Sequence, residues 1–225
     1  GILSRAVERA ESHPMPARLD GASALLFDTL APEMSYGMRL VFANRWLTNP
    51  LLMRQLAGQP TTDASIRTTT ATTMMRAGAK ENVLASSASA VMNFRLMPGD
   101  TADTVMTHLN DVIDDPRVTI APYRGNRGDL ASPVSSADGP QFTALSRTIR
   151  SVFPTTLVAP YLTLGATDAR HYTEVATHIY RFVPVDQPGG TDLLHAPNEH
   201  IRLDAYLNEI RAFAAIITEL SKQTP

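Results

Sequence analysis

The chain has 225 residues, of which 44% are hydrophobic and 19% charged, and its formal net charge is −2. That charge balance gives no electrostatic reason to expect nucleic acid or an anionic membrane as a partner. No apolar run approaches the roughly 18 residues that a membrane-spanning helix needs. The absence of cysteine excludes disulfides, thiolate metal sites and cysteine nucleophiles, and leaves the compartment open. We therefore expect neither a nucleic-acid partner nor a membrane partner.

Apolar residues at helical spacing predict helices in the first quarter of the chain. The opening helix carries Ile2, Ala6 and Val7 on one face and stops in the proline-containing run 12–16. It begins without a capping residue, from which we expect that Gly1 is a cut end inside a longer protein. Residues 22–30 and 37–57 show the same periodicity, with Pro32 and Pro50 as breaks. We expect helices over both ranges.

The next segment predicts a small sheet. Residues 61–73 are rich in threonine and favour extended structure, and the side chains of 89–96 alternate between apolar and polar. Pro98-Gly-Asp100 turns the chain into a helix from Thr101 that ends at Asp115-Pro116, and residues 118–121 are expected to form a strand. These elements predict an α+β domain, a small sheet with helices on one face.

Residues 123–140 are rich in Gly, Pro, Ser and Asp and mark the best domain boundary. Beyond it we expect a helix at 141–153, a strand at 157–161, a short helix at 168–175 and a strand at 179–183. The final helix carries Leu203, Leu207 and Ile210 at helical spacing and should pack on something large. Alternating helices and strands suggest part of an α/β sheet, too short for a complete one.

One histidine invites a metal hypothesis. His195 lies in the run Leu194-His-Ala-Pro-Asn-Glu199. A catalytic zinc takes about three protein ligands and a water, but the chain has no His-x-Asp pair, no paired glutamates and no other ligand cluster. From the motif alone, a solvated loop histidine is as good an interpretation as a zinc ligand.

Several short motifs, taken in order, resemble one known family. They are Ile66-Arg-Thr-Thr-Thr-Ala-Thr-Thr73, Lys80-Glu-Asn-Val-Leu84, Met92-Asn-Phe-Arg-Leu-Met-Pro-Gly99, Gly165-Ala-Thr-Asp-Ala-Arg170, Ile179-Tyr-Arg-Phe182 and His195-Ala-Pro-Asn-Glu199. The chain resembles the C-terminal part of the carboxypeptidase S and aminoacylase-like family of co-catalytic zinc peptidases, closest to the Gly-X carboxypeptidases and N-acyl amino acid hydrolases. The resemblance implies a lid or dimerisation domain over 1–123. The C-terminal part of an incomplete α/β catalytic domain would then cover 124–225.

The resemblance also implies roles for four residues. His195 would be a zinc ligand, one of several around two zinc ions in the intact enzyme. Asn82, Arg95 and Gly165 would hold the carboxylate of the substrate, often across a dimer. A guanidinium fork and an amide suit that task, and a glycine permits close backbone approach. The alternatives are a strand-edge arginine paired with a surface acid, and a turn asparagine. No catalytic base is expected within this chain.

Two functions remain as hypotheses. In the first, the parent protein is a zinc-dependent hydrolase that cleaves an amide bond beside a free carboxylate, in Gly-X dipeptides or N-acyl amino acids. This chain alone would then be inactive and would not retain zinc. In the second, the chain is a non-catalytic dimerisation module that forms a homodimer through the lid sheet. Because half of the catalytic domain would be missing, we also expect an uncovered apolar surface on the second region.

Overall fold

The computed structural model describes residues 1–185 and 197–222 of the chain. These residues divide into two compact units. The first comprises Gly1–Val134 and Tyr161–Thr167, and the second comprises Ser135–Pro160 and the described residues of Asp168–Pro225. The family-based boundary between residues 123 and 124 stays a prediction.

The first unit contains most of the regular structure. Its elements are α1 (Ile2–Ser12), α2 (Gly21–Leu30), α3 (Tyr36–Ala43), α4 (Arg45–Leu56), α5 (Pro60–Ala64), β1 (Thr69–Ala77), β2 (Ala88–Arg95) and α6 (Ala102–Ile113). The predicted helices at 22–30 and 37–57 are therefore present, with a break at Asn44. Pro50 lies inside α4 and does not end it. The prediction of extended structure over 61–73 is wrong at its start, where α5 forms.

β1 and β2 form an antiparallel hairpin whose register runs from Thr69 opposite Arg95 to Ala77 opposite Ala88. The register shifts between Thr72 and Met74, where β1 carries a bulge. Val118 and Ile120 pack against the first core, but residues 118–121 join no ladder. The predicted strand there is wrong, because alternating burial alone does not supply the hydrogen-bonding partner that defines a strand.

The first core lies between the hairpin and the helices α1 and α6. Its buried members are Ala6, Ala10, Met15, Val105, Leu109 and Ile113, with Met92, Phe94 and Leu96 packed against them. The alternation of β2 explains this arrangement, since Met92 and Phe94 share one face while Asn93 and Arg95 are exposed on the other. Thr101 caps α6 through a reciprocal hydrogen-bond pair with Thr104. A small sheet packed against helices is consistent with the predicted α+β domain.

Helices α2 to α5 enclose a second core within the same unit. Its buried side chains are Phe42, Leu52, Leu56 and Ile66. A polar network joins this helical segment to the turn before α6. The side chain of Arg18 donates to the Asp100 carboxylate over 2.9 Å and to the Pro98 carbonyl over 2.6 Å. Thr68, fully buried, donates to Asp100 and accepts a 2.8 Å bond from the amide of Met97.

The second unit is built on two helices, α7 (Pro140–Val152) and α8 (Leu203–Ser221), with a 3-10 helix at Asp168–Tyr172. α7 and α8 pack together. The predicted strands at 157–161 and 179–183 are wrong, since neither segment pairs with another strand in the part of the chain that the structure describes. Instead, Ile179 exchanges backbone hydrogen bonds with the hydroxyl of Ser135, at 3.0 and 2.7 Å. An α/β catalytic domain is not shown.

α8 buries less of its apolar face than its periodicity predicts. Ala205 and Ala212 are buried, but the larger apolar side chains stay exposed: Leu203, Tyr206, Leu207, Ile210, Phe213, Ile217 and Leu220. We expected an uncovered apolar surface on a sheet of this region. The exposed apolar side chains lie on the helix α8 instead. Within the described ranges, no helix is long and apolar enough to cross a membrane.

Candidate carboxylate-binding site

Arg95 ends β2 with its side chain on the exposed face of the hairpin. Its Nη1 donates a 3.2 Å hydrogen bond to the backbone carbonyl of Leu164, the residue before Gly165. Both residues belong to the first unit, although 69 positions separate them in the chain. The bond goes to a neutral carbonyl and not to a surface acid, which was the alternative interpretation of this arginine. The structure thus brings Arg95 beside the predicted glycine loop.

Gly165 has open space where a side chain would begin. A Cβ built on it meets no heavy atom within 4 Å, and its φ lies outside the left-handed region. The chain's own atoms therefore do not require glycine at this position. A requirement for glycine here would have to come from a bound group that approaches the backbone.

Asn82 lies in the hairpin loop between β1 and β2, and the residues around it are exposed. At the tip, Leu84 is 97% exposed, and the amide of Val83 makes a 3.4 Å turn bond to Lys80. The register places this loop beyond Ala77 and Ala88, whereas Arg95 is opposite Thr69 at the other end. From Ala88 to Arg95, at about 3.3 Å per residue, β2 spans about 23 Å. The structure therefore places Asn82 and Arg95 at opposite ends of one hairpin.

His195 lies outside the described residues, so its position stays a prediction. In residues 1–185 and 197–222, no group of three or more His, Cys, Asp or Glu side chains could hold a metal ion. The described donors therefore do not fit a catalytic zinc by themselves. Other histidines have ordinary structural contacts. Nε2 of His108 lies 2.7 Å from the carbonyl of His13, and Nδ1 of His200 lies 2.6 Å from that of Asn198.

The electrostatics of the glycine loop are mild. Tyr161 begins this part of the first unit, and partial burial raises the pKa of its hydroxyl. The phenol therefore stays protonated at neutral pH and keeps an O–H donor. Sequence reasoning missed the Leu164 carbonyl as the contact of Arg95. No local signal marks that contact, because it is made by a backbone atom far away along the chain.

The first unit is of the kind that mediates dimerisation in peptidases. The family model for the peptidase dimerisation domain matches residues 7–119, which span the hairpin, all of α6 and the second half of α1. The chain belongs to the M20 peptidase dimerisation-domain family, as the ordered motifs predicted. That finding confirms the resemblance stated from the sequence.

Curated relatives extend the similarity to nearly the whole chain. The chain is 37% identical over 223 residues to a probable carboxypeptidase S-like 2 of Dictyostelium discoideum, covering 99% of this chain and 42% of that protein. It is 36% identical over 222 residues to the human N-fatty-acyl-amino acid synthase/hydrolase PM20D1, covering 96% and 44%. A probable carboxypeptidase S-like 1 of Dictyostelium discoideum is 30% identical over 222 residues, covering 96% and 41%. No solved structure matches significantly.

These relatives support a hydrolase family. The chain spans less than half the length of each of them.

Proposed function

We propose that this chain acts as part of a longer hydrolase that cleaves the amide bond beside a free carboxylate, in Gly-X dipeptides or N-acyl amino acids. The observation that carries the proposal is the hydrogen bond from Arg95 to the carbonyl before Gly165. It brings Arg95 to the residue that precedes Gly165, across 69 positions of the chain. The similarity to a carboxypeptidase S-like protein and to an N-fatty-acyl-amino acid synthase/hydrolase supports the same substrate class.

In this proposal Arg95 binds the substrate carboxylate. Its hydrogen bond to Leu164 orients the guanidinium and leaves the fork able to take a second acceptor. The amide of Gly165 supplies a neutral donor next to it. Two donors of this kind would fix the carboxylate end of the substrate, so that the scissile amide is presented in one orientation.

Asn82 completes the site from a second copy of the chain. The hairpin places it at the far end from Arg95, which favours contribution across a dimer over contribution within one chain. The exposed tip, with Leu84 almost fully accessible, suits insertion into a neighbouring protomer. This arrangement would make the dimer a requirement for tight carboxylate binding.

Zinc is the proposed cofactor of the longer enzyme, with His195 among its ligands. The described residues offer no cluster that could hold the ion, and the family resemblance implies that the other ligands lie outside this chain. We therefore assign no catalytic step to the metal here. On this basis the 225-residue chain alone would be inactive and would not retain zinc. The domain assignment, with a lid over 1–123 and part of a catalytic domain over 124–225, belongs to the same proposal.

The test compares substrates with and without the carboxylate. In a longer protein that contains this chain, Arg95→Ala should lower kcat/KM for an N-acyl amino acid about 10- to 100-fold, the value of a charge-assisted hydrogen bond. For the matching primary amide, which lacks the negative charge, the same substitution should have little effect. Arg76→Ala, an exposed arginine on the same hairpin, is the control. Equal losses on both substrates would contradict carboxylate binding by Arg95.

A second candidate is a non-catalytic dimerisation module. The family match and the free edges of the hairpin favour it, since β1 and β2 each lack a second strand partner among the described residues. Light scattering with size exclusion should give a dimer mass for the 225-residue chain. A strictly monomeric mass would count against this candidate, and tightly bound stoichiometric zinc would contradict the inert interpretation.

A further inference from the structure

Helices α3 and α4 are apolar on two opposite sides. Their inner residues Phe42, Leu52 and Leu56 are buried in the second core. Their other apolar residues form what we call the outer face: Tyr36, Leu40, Trp46, Leu47 and Leu51, all exposed. Since both helices turn their inner residues toward the same core, the outer face points away from it. Trp46 is 83% exposed and Tyr36 is 74% exposed, which is unusual for large aromatic side chains.

The charged residues within α3 and α4 are all arginines. Between Met34 and Gln59 the sequence has three arginines, at 39, 45 and 54, and no acidic residue. Arg45 pairs with Asp28 over 3.0 Å, whereas Arg39 and Arg54 are exposed. Glu33 precedes the segment, and beyond it Asp63 pairs with Arg67 over 2.7 Å. The segment therefore combines exposed apolar side chains with two exposed arginines, Arg39 and Arg54.

We propose that the outer face of α3 and α4 docks on an anionic phospholipid surface. Tryptophan and tyrosine favour the boundary between headgroups and acyl chains, leucines enter the apolar layer, and arginines contact lipid phosphates. The sequence-based expectation of no membrane partner used the net charge of the whole chain and the absence of a spanning helix. Neither quantity reports on a local surface, and docking requires no helix to cross the bilayer.

Docking of this kind would bring the protein to the place where long acyl chains accumulate. That consequence rests on the proposed function, because it assumes an N-acyl substrate. The docking itself does not, and it is measured without substrate. Failure of the hydrolysis experiment and failure of lipid binding are therefore separate results.

Trp46 is the chain's one tryptophan and reports directly on the outer face. With vesicles of phosphatidylcholine and phosphatidylglycerol, its emission should shift to shorter wavelength, and brominated acyl chains should quench it. Leu47→Ser combined with Leu51→Ser should lower the partition coefficient about tenfold or more. Leu130→Ser, at a residue that is 77% exposed outside this face, should leave it unchanged.

The arginines are tested in the same assay. Arg39→Gln and Arg54→Gln should each weaken binding about fivefold at low salt, and the effect should shrink as salt is added. Arg150→Gln, an exposed arginine on α7, is the matched control. Circular dichroism spectra establish that each variant is folded. The emission shift of Trp46 in the wild-type protein tests the proposal independently of the variants.

Three outcomes would overturn the proposal. The first is an emission spectrum unaffected by anionic vesicles. The second is a double leucine variant that partitions into anionic vesicles as strongly as the wild type, or a wild type that partitions as strongly into pure phosphatidylcholine as into vesicles that contain phosphatidylglycerol. The third is a blue shift that grows with protein concentration in the absence of lipid, because that result assigns the outer face to a second copy of the chain.

Discussion

Asp100 is the residue through which the helical segment of the first unit is fixed to its sheet. Its carboxylate accepts hydrogen bonds from Arg18, at 2.9 Å, and from the fully buried Thr68. The Asp100 side chain is 11% exposed and that of Arg18 is 31% exposed, so the pair is only partly screened by water. Asp100→Ala would remove the acceptor of the Thr68 hydroxyl and one of the acceptors of the Arg18 guanidinium, which would keep the Pro98 carbonyl and Asp20.

The expected cost of Asp100→Ala is about 2–4 kcal/mol of unfolding free energy for the first unit. Each hydrogen bond to a charged group contributes about 1.5–3 kcal/mol, and breaking a buried ion pair costs about 3–5 kcal/mol. We expect a cost below that of breaking a fully buried ion pair, because the Arg18 guanidinium is partly exposed and can be hydrated in the variant. Asp100→Asn keeps an acceptor and should cost less than the alanine variant.

Hydrogen–deuterium exchange of peptides from α2 to α5 measures this cost locally, and peptides from α7 and α8 supply an internal reference. Asp111→Ala, an exposed aspartate on α6, should change stability by no more than about 0.5 kcal/mol. If peptides from α2 to α5 exchanged at the same rate in Asp100→Ala and Asp111→Ala, the polar network around Asp100 would not hold the helical segment. A double-mutant cycle with Arg18→Ala should show coupling, since the two residues are in direct contact.

Three further results are expected. Hydrogen bonds from the side chain and the backbone amide of Arg117 hold the pKa of Asp115 well below its usual range. The pair's contribution is therefore present above the ordinary pKa of about 3.9 and lost only as pH falls through the lower folded value. In a carboxyl NMR titration, Arg117→Gln should move that pKa back toward normal, and an unmoved pKa would refute the assignment. Thr101→Ala should lower the stability of α6 by about 1 kcal/mol, measured by hydrogen–deuterium exchange of its amides, whereas Thr101→Ser keeps the capping hydroxyl and should not. Equal protection of α6 in both variants would contradict capping by Thr101. Leu52→Ala, at a residue that is 2% exposed, should cost about 2–5 kcal/mol in thermal or urea unfolding. Its neighbour Leu51→Ala, at 65% exposed, should cost little, and similar costs would be inconsistent with the second core.

The helices were predictable because their periodicity is local. In α6 the residues that repeat at helical spacing, Val105 and Leu109, are the ones that enter the first core. In α4 the spacing did not identify the buried side, since Trp46 and Leu47 are exposed while Leu52 and Leu56 are buried. The alternation in β2 predicted which side of the strand Arg95 would occupy. At 118–121, 157–161 and 179–183 the same kind of reasoning predicted strands that do not form. A strand forms only where another strand supplies hydrogen bonds, and a sequence pattern does not contain that partner.

The candidate site shows the same division. Motifs identified Arg95 and Gly165, and the α+β domain that carries them followed from patterning. The bond from Arg95 to the Leu164 carbonyl depends on long-range folding, which the local sequence does not encode. The opposite placement of Asn82 also became visible only with the register of the hairpin. The exposed apolar outer face of α3 and α4 was not predicted, because apolar spacing along a helix does not tell which of two apolar sides is covered.

The account stands on a carboxylate site assembled from two copies of the chain, and subunit complementation measures this directly. In a longer protein that contains this chain, Asn82→Ala and Arg95→Ala should each lose most activity toward an N-acyl amino acid. When the two variants are dissociated and reassociated in equal amounts, half of the dimers are mixed and each mixed dimer has one intact site. Activity should then recover to about a quarter of wild type. No recovery, with mixed dimers verified by mass, would contradict a site shared between protomers.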